Sequence, residues 1–280
     1  MSSKDKITAH YRPIKDISVA DCLAMYNLFV QYYDNTPLDV FVRDMSRKTG
    51  AFMVMRERDN AIVGFSTLTN FDVMVDGKSE ACYFSGDTVV DRPYWGNTAL
   101  RFACFRHIMY KRIRYPLRNL NWFLISKGYR TYMVMANLFP NYYPAIEGEH
   151  TRLKKVTAAA STHLFPDYFD KERMVIRFGD DSCKLKSDVT PITAMERGHP
   201  KIAFFEKMNP GWVDGDELPC MAAVDSTLIT TMLMDALKRM VGIGAKKRAA
   251  AHRAHNSGLA DTASAQREAD QGEEGLRQAR

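Results

Sequence analysis

The chain has 280 residues, 46% of them hydrophobic and 26% charged, and a formal net charge of +6. That balance describes an ordinary globular protein of one large domain or a domain with an extension, and the lack of any apolar run of about 18 residues excludes a spanning helix. The cysteines (Cys22, Cys82, Cys104, Cys183 and Cys220) form no Cys-x-x-Cys pair, so neither a zinc site nor a disulfide framework is indicated, while the positive balance suits an acidic partner without choosing among phosphate, nucleic acid, a carrier protein and a lipid surface.

Residues 7–17 hold a short first strand. The spacing of Cys22, Leu23, Tyr26, Leu28, Phe29 and Tyr32 predicts a helix from Ala20 to Tyr33. Thr36-Pro37 opens a second, running to about Ser46. Residues 51–56 and 61–70 read as strands around the turn Arg58-Asp59-Asn60, and Asp76-Gly77 turns the chain into a further strand, Lys78 to Val90. Thr98 to Tyr115 reads as a helix stopped by Pro116. Leu117 to Lys127 reads as another, with Leu117, Leu120, Phe123 and Leu124 aligned and Gly128 past its end. Tyr129 to Ala136, rich in aromatic and β-branched residues, reads as a strand. Beyond these, residues 151–165 read as helix, Met174 to Phe178, Ile202 to Met208 and Pro219 to Val224 as strands, and Ser226 to Val241 as a helix capped by Asp225 or Ser226. From about Gly244 the chain has no aromatic residue and almost no large aliphatic one, too little to bury a core, and disorder is expected there. The organisation expected is a core over residues 1–148, an α/β extension over 149–243 and a disordered tail over 244–280.

The most informative stretch is residues 83–100. A strand runs out at Val89-Val90, an aromatic turn follows, and a helix opens at Gly96-Asn97-Thr98. Such a turn aims free backbone N–H groups and the positive end of a helix dipole at one point, which suits a phosphate-bearing ligand. Asp87 and Asp91 lie four apart, so a regular strand puts both side chains on one face. Plainer readings stand beside these: a bulge residue for Asp87, a turn cap for Asp91, packing for Tyr142 and Tyr143, and a turn residue for Asn137. His107 reads as a partly exposed helix residue. Asp214-Gly215-Asp216-Glu217 lacks the spacing of a calcium loop and reads as a solvated turn. No Gly-x-Ser-x-Gly elbow supports a serine nucleophile.

Residues 51–143 resemble the GCN5-related N-acetyltransferase (GNAT) superfamily. Ala61-Ile62-Val63-Gly64-Phe65-Ser66 is similar to the family's second hairpin strand, and Val89-Val90-Asp91-Arg92-Pro93-Tyr94-Trp95-Gly96 to its central strand and the turn after it. Tyr132-Met133-Val134-Met135-Ala136-Asn137, with Tyr142-Tyr143 after it, resembles the next strand, its terminal Asn and the downstream Tyr. The resemblance implies a mixed α/β fold: a central, mostly antiparallel sheet with a splayed strand pair and flanking helices, the pantetheine arm of acyl-CoA in the gap and the pyrophosphate on the helix N-terminus. It implies donor contacts at Val89, Val90, Arg92, Trp95, Gly96, Asn97, Thr98 and Arg101, with an oxyanion held by a backbone N–H near Val89 or Val90. It further implies a carboxylate base at Asp87 or Asp91 (Glu80 lies at the start of the same strand), a phenolic acid at Tyr142 or Tyr143, Asn137 at the strand end, and no metal.

The signature departs from the family in its phosphate loop. Trp95 stands where the family has Arg or Gln, Thr98 where its first Gly belongs, and Leu100 in the last small position. That implies either a donor with a single phosphate, such as the phosphopantetheine of acyl-carrier protein, or a cleft that binds without turnover. The expected function is an N-acyltransferase that moves an acyl group from acyl-CoA or acyl-carrier protein to a small-molecule amine by direct attack. The alternative is an inactive protein of the same fold that binds an acyl thioester or related metabolite as a sensor or interaction module. No specific nucleic acid is expected, and peripheral membrane contact would rest on Lys246-Lys247-Arg248 and the last helix. Residues 1–7 lack an apolar signal core, so a cytoplasmic location is expected.

Overall fold

One mixed sheet organises the computed structural model, which describes residues 5–148, 150–179, 184–185 and 198–240. Its spatial order is β1 (Ile7–Pro13), β3 (Gly50–Arg56), β4 (Ile62–Val75), β5 (Lys78–Val90), β6 (Asn119–Ser126), β11 (Leu218–Ala223) and β7 (Tyr142–Tyr143). Neighbouring strands run antiparallel except β5 and β6. A parallel pair needs a crossover, and α3 (Ala99–Arg114) supplies it. Two small ladders stand apart: β2 (Tyr33–Asp34) with β10 (Lys184–Leu185), and β8 (Phe169–Asp170) with β9 (Val175–Ile176). The chain divides into a compact unit, Met1–Leu228, and a second, Ile229–Arg280. The described part of the second lies in the helix α7 (Ser226–Met240), which begins with Asp225 Oδ1 accepting from the Leu228 N–H at 3.0 Å.

Alternation along β3 separates the two faces of the sheet. Ala51 packs against α1 (Val19–Phe29) and α2 (Leu38–Ser46) through Met25, Leu28, Phe29, Phe41 and Met45. Its neighbour Phe52 meets His107 of α3 on the other face, with ring centroids 5.5 Å apart. On the first face, Val73, Phe84, Phe123 and Met221 carry α5 (Thr151–Leu164) on Leu153, Val156 and Ala160. A reciprocal capping box starts α1: Ser18 Oγ accepts from the Asp21 N–H at 3.0 Å and the Asp21 carboxylate accepts from the Ser18 N–H at 3.1 Å.

Three elements change type from the sequence expectation. Leu117 to Lys127, expected as helix, contains strand β6. Its run of apolar residues is buried on both faces between β5 and β11, and such a short run satisfies helical and strand spacing alike. Tyr129 to Ala136, expected as a strand, is α4 (Tyr129–Leu138); Tyr129, Tyr132, Met135 and Ala136 are buried at helical spacing, and Gly128 precedes this helix rather than ending the previous one. Ile202 to Met208, expected as a strand, is α6 (Pro200–Met208), with Pro200 in its first turn and His199 Nδ1 accepting from the Lys201 N–H at 3.2 Å. The expected strand Met174 to Phe178 shrinks to the two residues of β9. The tail expected to be disordered over 244–280 lies outside the described residues.

The start of β5 is locked by a buried charge. Glu80, 1% exposed, accepts from Arg152 of α5 at 2.6 Å, from Asn121 at 2.8 Å and from Asn119 at 3.3 Å. It ties β5, β6 and α5 together at the end of the strand away from the aromatic turn. Arg152→Met leaves that carboxylate with amide donors only; urea titration should show a loss on the order of 2 kcal/mol, most of it recovered by adding Glu80→Gln.

His107 is half-buried against Tyr11, with ring centroids 4.3 Å apart, and its Nε2 has no hydrogen-bond partner among the described residues. Burial, with a smaller contribution from Lys111, lowers its pKa from 6.5 to about 4. Between those two values the unfolded chain binds the extra proton, so stability rises with pH and is lost as pH falls. Wild type should therefore lose about 1.4 kcal/mol per pH unit more than His107→Phe across this window, as read from paired denaturation curves.

Candidate functional site

The pairing of β5 with β6 ends at Ser85 and Leu124, while β5 continues to Val90 beside β4. Between those points the register of β4 and β5 shifts, so that Thr67 alone faces Gly86 and Asp87. The bulge inverts the alternation of β5. Phe84 before it and Val89 after it both point to the face that carries α1, α2 and α5. Ser85 and Thr88 both point to the α3 face, where Ser66 Oγ bonds their hydroxyls at 3.0 and 2.7 Å. Asp87 thereby joins the α1–α2 face.

The open edge of β5 is a row of backbone groups. Asp91 donates its N–H to Val63 O of β4 at 2.9 Å, so the N–H and C=O of the preceding Val90 face the other way, into the gap. The Val90 carbonyl accepts from Trp95 Nε1 at 2.6 Å, which leaves the Val90 N–H as a donor there. Val89 turns its side chain into the α1–α2 core.

The aromatic turn then delivers the chain to α3. Asp91 caps a 3-10 turn, Arg92–Tyr94: its Oδ1 accepts from the Arg92 N–H at 2.9 Å and from Tyr32 Oη at 2.8 Å. Gly96 adopts φ +79°, a left-handed conformation that suits glycine. Asn97 Oδ1 accepts from the Ala99 N–H at 2.7 Å, and the Phe102 N–H reaches Thr98 O at 2.9 Å. The Thr98 side chain makes no cap. The N–H groups of Leu100 and Arg101 therefore point out of the first turn without a protein partner among the described residues. The Arg92 guanidinium lies 5.8 Å over the Trp95 ring, and both Arg92 and Arg101 are exposed.

A charged cluster lines the α1–α2 side of the gap. Lys48, whose side chain is 9% exposed, holds Asp44 of α2 at 2.6 Å and lies 5.9 Å over the Phe84 ring. Burial raises the Asp87 pKa; Lys48 pulls it down, and the charge of Asp44 and a hydrogen bond with it push it up further. Lys127, just past β6, holds Glu217, just before β11, at 3.3 Å. Burial raises the Glu217 pKa too, with Lys127 opposing and the charge of Asp87 adding. Thr67 Oγ1 is fully buried here without a partner among the described residues. Asp44 with Lys48, Lys127 and Glu217 escaped the sequence reading because they come from three separate segments; Glu217, read as part of a solvated turn, is buried.

The two tyrosines of β7 point to opposite faces. Tyr143 packs into the core that contains Phe84, on the face of Asp87, and burial raises its pKa. Tyr142 lies on the α4–α6 side, where its hydroxyl bonds that of Tyr132 and Lys201 stands 5.9 Å from its ring; its pKa is also raised, chiefly by burial. Asn137 closes α4, and its Oδ1 accepts from Lys201 Nζ at 3.0 Å. The strand beside β5 is thus β6 and not the segment ending at Asn137. Among the described residues no group of three or more His, Cys, Asp or Glu is arranged to hold a metal ion, and no helix is long and apolar enough to cross a membrane.

No protein-family model matches the chain, and no curated protein matches it in sequence. Solved structures do. A conserved Enterococcus faecalis protein described as a "Probable N-Acyltransferase" aligns with 12% identity and a TM-score of 0.38, over 49% of this chain and 33% of its own. A Trypanosoma brucei acetyltransferase aligns with 15% identity and a TM-score of 0.37, over 51% and 91%. A GNAT family N-acetyltransferase from Escherichia coli, in complex with CoA, aligns with 12% identity and a TM-score of 0.33, over 45% and 67%. This chain spans about a third of the length of the first of them. The sheet of this chain is mostly antiparallel, with one parallel pair, β5 and β6, joined through α3.

The bulge depends on Gly86 having no side chain. A Cβ there would sit 2.6 Å from Thr67 Oγ1 and 3.3 Å from the Phe84 ring. Gly86→Ala should cost about 1–3 kcal/mol in denaturant titration, and Thr67→Ser, which keeps the hydroxyl and adds no bulk at this point, should not relieve it.

Proposed function

We propose that the chain is an N-acyltransferase that takes an acyl thioester, either acyl-CoA or the acyl-phosphopantetheine of acyl-carrier protein, and passes the acyl group to an amine by direct attack. The observation that carries this reading is the gap: β5 runs past its last residue paired with β6, and the open edge leads into a helix N-terminus. Pantetheine is an extended amide chain and can bond such an edge as an added strand would. Its phosphate would lie at the N–H groups of Leu100 and Arg101, near the Arg92 and Arg101 side chains. The bulk of Trp95 and Leu100 at this turn favours a donor with one phosphate, which ranks acyl-carrier protein ahead of free acyl-CoA.

In this mechanism Asp87 takes a proton from the acceptor ammonium, and its raised pKa makes it the stronger base. The amine then attacks the thioester carbonyl, the C–N bond forms, and the oxyanion accepts from the Val90 N–H. As the C–S bond breaks, the leaving thiolate takes a proton from the hydroxyl of Tyr143 or Tyr142. The nitrogen's second proton returns through solvent to that phenolate, and Asp87 releases its own proton to water. Asp91 and Asn137, engaged by Tyr32 and Lys201, support the turn and the end of α4 in this reading.

The test is mass spectrometry of the purified chain with short, medium and long acyl-CoA and acyl-carrier-protein donors and a panel of amines. Donor consumption with N-acylated product is expected. No binding of any donor would sink the proposal, and binding without transfer to any amine would favour the inactive sensor. Asp87→Asn should lower kcat by about 100-fold or more while the protein stays folded. The wild-type rate should rise with pH through a midpoint above the ordinary carboxylate range, because only ionised Asp87 accepts the proton. Of Tyr142→Phe and Tyr143→Phe, the one that slows turnover about tenfold or more identifies the acid.

A further inference from the structure

The outward face of α3 exposes several large apolar side chains. Phe102 is 64% exposed, Tyr110 61% and Ile113 76%, and Leu117, in the turn after the helix, is 97% exposed. Phe102, the half-buried Met109, Tyr110 and Ile113 lie along one side of the helix over about 16 Å, and Leu117 follows in the turn beyond it. The same helix carries Arg101, Arg106, Lys111, Arg112 and Arg114 and no acidic residue. Arg106 interrupts the apolar line, and Arg112 and Arg114 lie on either side of it. Asp72, the acidic side chain bonded at the end of this surface, is held by Arg118 at 2.6 Å. The sheet is served by the opposite face of α3, through Ala103, His107 and Ile108.

We propose that this face of α3 lies on an anionic lipid surface, with Phe102, Tyr110, Ile113 and Leu117 set into the headgroup boundary and the flanking arginines paired with lipid phosphates. The charge selects the occupant. A second copy of the chain, docked face to face, would set arginines against arginines. A narrow apolar line on a helix suits a plane, which touches a cylinder along one line, and the aliphatic stems of arginine lie alongside that line while their heads reach the phosphates. The proposal uses none of Lys246, Lys247 and Arg248, and it does not depend on the donor reading of the β5–β6 gap.

Sedimentation of the full chain with phosphatidylcholine vesicles, with and without phosphatidylglycerol, tests it. Binding should require the anionic lipid and fall as salt rises. Phe102→Ser with Ile113→Ser, and separately Arg106→Glu with Arg114→Glu, should each weaken binding about tenfold or more while circular dichroism stays unchanged. The proposal is overturned if wild type ignores anionic vesicles, or if both α3 variants bind as wild type does. It is equally overturned if charge reversal at Lys246, Lys247 and Arg248 abolishes binding while the α3 variants retain it, or if the chain ignores vesicles but is retained through α3 by immobilised acyl-carrier protein.

Discussion

The separation of β5 from β6 is the constraint on which the rest of the site depends. A parallel pair joined by a helix could stay hydrogen-bonded to its end, and here it stops at Ser85 and Leu124. The bulge at Gly86-Asp87 falls at that point and inverts the alternation of β5. Without it, Asp87 would share the α3 face with Ser85, away from Lys48 and Asp44. One extra residue in a ladder thus opens a backbone edge and delivers a carboxylate to its rim. The opposite end of the same strand is held by Glu80, Asn121 and Arg152, so β5 is anchored where it is paired and free where it is open.

The charged groups at the rim are arranged to be buried without cancelling. Lys48 and Lys127 each hold one carboxylate, Asp44 and Glu217, and Asp87 carries the charge left over. Burial raises the pKa of Asp87 and of Glu217, which puts a carboxyl with a raised pKa beside an open strand edge. Thr67 Oγ1, buried and unpartnered among the described residues, adds a polar atom on the same side. The helix that follows divides its surface three ways: its first turn offers unpaired N–H groups, its inner face seals the sheet through Ala103 and Ile108, and its outer face remains apolar and cationic.

Much of the core was legible in the sequence because its elements announce themselves locally. The hairpin β4–β5 follows from Asp76-Gly77 and the apolar runs on either side, and Asp76 and Gly77 both take positive φ. The start of α3 was readable from Gly96, Asn97 and Thr98, although it is Asn97 and not Thr98 whose side chain caps it. The segment after α3 was not readable. Leu120–Ile125 is mostly apolar on both faces because α5 packs on one side of this strand and α4 on the other, and no periodicity distinguishes such a strand from a buried helix. With β6 read as helix, the aromatic run Tyr129 to Ala136 takes the place of the strand, and Gly128 falls at the wrong end of a helix.

By itself the sequence determined the order of the first elements, the strand, aromatic turn and helix at Val89 to Thr98, and the departures at Trp95 and Leu100, because each is a matter of neighbours in the chain. The tertiary structure alone decided what surrounds that turn. It set β6 beside β5 and placed β11, from far along the chain, between β6 and β7. It also gathered Asp44, Lys48, Lys127 and Glu217 around Asp87. Strand pairing and the burial of charge join residues far apart in sequence, so no local spacing encodes them.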